Sequence, residues 1–71
     1  MDAHQAKQQI EQLMGRRDAV KGEIRRAQAD YEKFSTQNLR VEAREAHDDM
    51  TRLQQRLSVI ETELNKLKRY W

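Results

Sequence analysis

Residues 27–46 read AQADYEKFSTQNLRVEAREA, and a change of phase within them decides the fold. Upstream, apolar side chains recur at alternating spacings of three and four: Ala3, Ala6, Ile10, Leu13, Val20, Ile24, Ala27, Tyr31 and Phe34, with Arg17 the one polar member of the series. Downstream, the same rhythm runs through Leu39, Ala43, Ala46, Met50, Leu53, Leu57, Ile60, Leu64, Leu67 and Trp71. Such sustained heptads mark coiled-coil helices. Carrying the first series past Phe34 would turn Asn38, Val41, Glu45 and Asp48 inward, so one straight helix of about 105 Å cannot satisfy both halves. The break falls on Ser35, Thr36, Gln37 and Asn38, whose polar side chains cap helices and favour turns. The expected fold is all-α: an antiparallel two-helix coiled-coil hairpin forming one domain over 1–71, with helices over 2–34 and 38–70 and a turn at 35–38.

Facing layers can be checked by arithmetic, because the two residue numbers in each layer of an antiparallel pair add to a constant. Phe34 with Leu39, Ala27 with Ala46, Val20 with Leu53, Leu13 with Ile60 and Ala6 with Leu67 share one sum. Tyr31 with Ala43, Ile24 with Met50, Arg17 with Leu57, Ile10 with Leu64 and Ala3 with Trp71 share the next integer. Large residues meet small ones in several layers, which fills space at even helix spacing. Arg17 is expected to pack its stem on Leu57 and snorkel its guanidinium outward, with a partner-selecting contact as the sharper reading. The Ala27–Ala46 layer is thin, so the arms approach closely there or admit a side chain from another chain.

Composition narrows the function. The 71 residues include 14 Lys and Arg against 12 Asp and Glu, two Gly, no Pro and no Cys. Without Cys there is neither a disulfide nor a thiolate site, and with so few turn residues a sheet fold is improbable. The first 30 residues contain no apolar run, so neither a signal peptide nor a membrane span is expected, and the reading is cytoplasmic. His4 and His47 fall in opposite regions of the hairpin, and His47, Asp48 and Asp49 are consecutive, so no metal site is expected. No cofactor motif, phosphate loop or nucleophile elbow is present, and the carboxylates have no visible means of desolvation, so an enzyme is not expected.

The flanks carry what remains. Directly opposed residues beside the seam are often alike, as in Asp30 with Glu42, Glu23 with Asp49 and Arg16 with Arg56, whereas the diagonals Glu23 with Arg56 and Arg16 with Glu63 are attractive. Away from the seam of the first helix lie Gly15, Ala19, Gly22 and Ala29, framed by Arg16, Arg25 and Arg26. Glycine inside a helix costs about 1 kcal/mol relative to Ala, so two on one stripe point either to tolerance on a solvated face or to a partner backbone approaching closely. At the open end, Trp71 is placed to cap Ala3 and Ala6 or to anchor a partner, and off-seam Tyr70 is the better contact candidate.

This organisation resembles small helical-hairpin regulators: plasmid RNA-binding hairpins of the Rop type, type III secretion co-chaperones and short phage-encoded inhibitors. The resemblance covers the whole chain as architecture and carries over no functional residue. One hairpin leaves its seam open on both sides, so dimerisation into a four-helix bundle is expected. The leading functional expectation is a non-enzymatic protein–protein interaction module that regulates, escorts or inhibits a partner protein. The alternative is a Rop-like RNA-binding dimer using Arg16, Arg17, Lys21, Arg25 and Arg26. Interruption by Asp18 and Glu23, and the lack of an aromatic among them, weigh against it.

Overall fold

In the computed structural model, which describes residues 2–70, the chain folds as the expected hairpin of two long helices packed against each other. Helix α1 spans Ala3–Thr36, helix α2 spans Arg40–Leu67, and a short 3₁₀ turn, Lys68–Tyr70, ends the description. The Cα trace measures 53 × 14 × 10 Å, matching the roughly 51 Å length of a 34-residue helix.

Helix α1 begins at Asp2, whose Oδ1 accepts the Gln5 backbone N–H at 2.8 Å and so occupies one of the free donors of the first turn. It ends two residues later than the polar cluster implied. Thr36 is helical, and its hydroxyl donates to the Glu32 carbonyl one turn back at 2.8 Å. The reversal therefore falls on Gln37–Leu39. Leu39 N–H donates back to the Phe34 carbonyl at 2.9 Å and Asn38 N–H to that of Ser35 at 3.2 Å, the paired bonds of a Schellman ending. This geometry needs one left-handed residue, and Asn38 takes it with φ 60°. Leu39 is both the last residue of this motif and the N-cap of α2; its carbonyl accepts from Ala43 at 2.9 Å, but its side chain offers the exposed N–H groups nothing.

The predicted seam residues are the ones buried over the open two-thirds of the hairpin. Ile10, Leu13, Val20, Ile60 and Leu64 form the buried cluster, with Ile24, Leu53, Leu57 and Leu67 packed around it. Ala6, Ala43 and Ala46 are also buried, and Phe34 and Met50 are half-buried. The tip is looser than the layer arithmetic implied. Tyr31 is 37% and Leu39 39% exposed, and the tyrosine ring centre lies 6.0 Å from that of His47. Ala3 is exposed, and Trp71, its expected layer partner, lies outside the described residues. Arg17 is the seam's polar member as expected, its side chain 28% exposed and its Nε 3.4 Å from Asp18 Oδ1.

Two stability experiments test these assignments by urea unfolding. Asn38→Val forces a β-branched residue into the left-handed region and is expected to cost about 1–2 kcal/mol, while Asn38→Gly is neutral or stabilising. Ile10→Ala, at a side chain only 1% exposed, is expected to cost about 2–5 kcal/mol, clearly more than Tyr31→Ala at the open tip.

Candidate interaction surface

Each helix turns two seam lines toward the other. One consists of Leu13, Val20 and Ala27 with Ile60, Leu53 and Ala46, of which Leu13, Val20 and Ile60 border one depression and Ala27, Ala46 and Leu53 another; the other, by heptad position, carries Ile10, Arg17 and Ile24 with Leu64, Leu57 and Met50. Only the first line is free of polar residues, and the hairpin is open along that side. Three depressions there follow one another: one beside Leu13 and Leu67, one over Val20 and Ile60, and one of about 450 Å³ over Ala27, Ala46 and Leu53. Neighbouring depressions share Leu13, Arg16 and Glu63, or Arg56, so together they form one groove along the hairpin. At the thin alanine layer the floor is made of two methyl groups, Ala27 and Ala46, with Leu53 beside them.

The groove margins are charged in bands. Arg16 and Arg56 stand across from each other near its middle, and Glu23 and Asp49 stand across from each other one heptad toward the tip. Glu23 and Arg56 share one depression, and Arg16 and Glu63 share another, yet the expected diagonal pairs do not close to ion-pair distance. Among the described residues the two ion pairs lie within single helices, Arg17 with Asp18 at 3.4 Å and Arg52 with Asp49 at 2.6 Å. Exposed side chains keep their hydration and their rotamer freedom unless the geometry is favourable, which leaves the diagonals apart.

The residues singled out from the sequence are divided by the structure. Arg16, Ala19 and Arg26 line the groove. Gly15, Gly22, Arg25 and Ala29 do not; they lie on the outward side of α1, where a Cβ on Gly15 would meet nothing within 4 Å and one on Gly22 only the Arg25 Nη2 at 4.0 Å. Tyr70 is separate again, at the open end and 51% exposed. From α2, Asp49, Arg52, Arg56 and 58%-exposed Val59 complete the groove margin; the sequence marks Val59 as a further contact candidate and sets Asp49 and Arg56 opposite Glu23 and Arg16, but it does not join them to the candidate site, and it does not single out Arg52. The signal was available in the like-charged opposed pairs, which look unfavourable in one hairpin and make sense only as bands along a shared side.

A second shallow depression system lies at the tip, around Tyr31, Ala43 and His47. Among the described residues no polar or charged side chain is buried and no group of three metal-ligating side chains is brought together. His4 is far from His47, and its Nε2 lies 3.4 Å from Gln8 Nε2. Among the described residues no helix is long and apolar enough to cross a membrane.

Since Gly15 looks onto open space, Gly15→Ala is expected to stabilise the hairpin by about 1 kcal/mol in urea unfolding, the full helix-propensity difference with no clash to offset it. No family model, curated protein or solved structure matches the chain, so the reading of this surface rests on its own geometry.

Proposed function

We propose that the protein is a non-enzymatic, cytoplasmic protein–protein interaction module that regulates, escorts or inhibits a partner protein through its helix faces. The observation that carries this reading is that every charged side chain except Arg17 is exposed, on a rod with no buried polar group among the described residues. Acid–base or nucleophilic chemistry depends on groups withdrawn from water, whereas recognition depends on groups displayed to it. The outward side of α1, with Gly15, Gly22 and Ala29 beside Arg25, offers close backbone approach next to a fork-shaped donor suited to carboxylates. Tyr70, off the seam and half exposed beside Lys68 and Arg69, adds an amphipathic anchor of the kind that dominates binding energy.

Crosslinking in source cells followed by calorimetry with the captured protein tests this. Affinity for a protein target is expected to change about tenfold or less between about 50 and 200 mM salt, whereas a fall of about a thousandfold or more, with nucleic acid in the crosslinked material, replaces this reading with RNA binding. Tyr70→Ala is expected to weaken target binding about tenfold or more at unchanged helicity. Gly22→Leu is expected to raise the melting temperature and abolish binding; retention of binding would return the glycine side to ordinary solvated surface.

A further inference from the structure

We infer that the groove beside the Leu13–Val20–Ala27 line is covered by a second copy of this chain, lying antiparallel to the first about a two-fold axis at the Val20–Leu53 layer. Three observations converge on that axis. The first is charge. In a two-fold stack with both hairpins pointing the same way, Arg16 and Arg56 meet their own kind, as do Glu23 and Asp49. Reversing one copy about the midpoint between the bands brings Arg16 opposite the second copy's glutamate band on α1 and Arg56 opposite its aspartate band on α2, each pairing occurring twice. Asp49 already holds Arg52 at 2.6 Å, so the second copy's arginine completes a three-member network. At the outermost rungs Gln9 meets Asp30, and Glu63 meets Glu42, a repulsive contact at the exposed ends that the four central arginine–carboxylate pairings outnumber. Moving the axis onto either band, or tipward to between Glu23 and Asp30, stacks like charge on like.

The second observation is volume. About the same axis, the Leu13–Ile60 layer of one copy falls within one residue of the Ala27–Ala46 layer of the other, and the reverse, while Val20–Leu53 meets itself. A layer of two large side chains therefore faces the layer of two methyl groups, which floors a depression of about 450 Å³. Likewise, Ala6 is brought level with Phe34. Large against small in successive layers is how four helices fill a common core. The third observation is overlap. The axis set by the charges crosses α1 at its midpoint, between Ala19 and Val20 of Ala3–Thr36, so both hairpins are covered over nearly their full length. Ala19 then lies beside the axis, where a short side chain permits close approach of the two copies of α1. The opposite side of the hairpin is less suited: its seam line contains Arg17, and its central opposed flanking residues, Lys21 with Gln54 and Gln28 with His47, include no carboxylate.

The inference does not depend on the target proposed above. Sedimentation at about 10 μM and about 150 mM salt is expected to give a dimer, twice the 8.5 kDa chain mass. The double variants Arg16→Glu with Arg56→Glu, and Glu23→Arg with Asp49→Arg, each leave bands of one sign and are expected to sediment as monomers of lowered helicity. Their equimolar mixture is expected to recover both the dimeric mass and the helicity, and the chain carrying all four changes to dimerise alone. Recovery in the mixture separates a lost interface from a failure to fold. A monomeric native chain, double variants that remain dimeric, or a mixture that stays monomeric would each overturn the inference. A dimer without a protein target would sink only the functional reading, and target binding by a monomeric native chain would sink only this one.

Discussion

Burial of Ile10, Leu13 and Val20 against Ile60 and Leu64 is the contact on which the rest depends. A chain with 26 charged residues among 71 has few apolar groups to spare, and nearly all of them lie in one narrow seam. The seam joins residues distant in sequence, so it can form only where the chain reverses in the right register. A slip of one residue would swap each seam line for a charged flank. The alternation of three and four is thus both the source of stability and the source of specificity.

The turn supplies that register without glycine or proline. Asn38 accepts the left-handed conformation, the Phe34 and Ser35 carbonyls are satisfied from within the motif, and Leu39 passes directly from the end of one helix to the start of the next. Packing near the tip is correspondingly loose, with Tyr31 and Leu39 more than a third exposed. Apolar packing is concentrated toward the open end and the middle of the rod, and the thin alanine layer separates that region from the tip.

The charged residues do little within one hairpin and are informative for that reason. Ion pairs confined to neighbours on the same helix leave the groove bands uncompensated across the seam. Opposed like charges are a small penalty in water, and the same arrangement becomes an attractive one when a reversed copy is brought against it. A pattern that is mildly unfavourable for the isolated fold and favourable for the inferred two-fold pair supports that inference, and the outward side of α1 and Tyr70 lie outside the groove on which it rests.

Much of this was legible in the sequence. Heptad spacing, the phase change at residues 35–38 and the constant sums of the layers determined helix number, direction and register, because helix periodicity maps sequence spacing directly onto faces. The exact end of α1 was not legible, since any of Ser35, Thr36, Gln37 and Asn38 suits a turn, and the stop is set by which of them takes the left-handed conformation, here Asn38. Nor was the grouping of candidate residues. Gly15, Arg16, Gly22 and Arg26 are close in sequence, yet only Arg16 and Arg26 line the groove, and their companions on that surface, Asp49, Arg56 and Val59, come from the other arm. Local periodicity sets where each side chain stands on its own helix, but which flanks unite into one surface depends on how two helices pack side by side, and that only the tertiary structure decided.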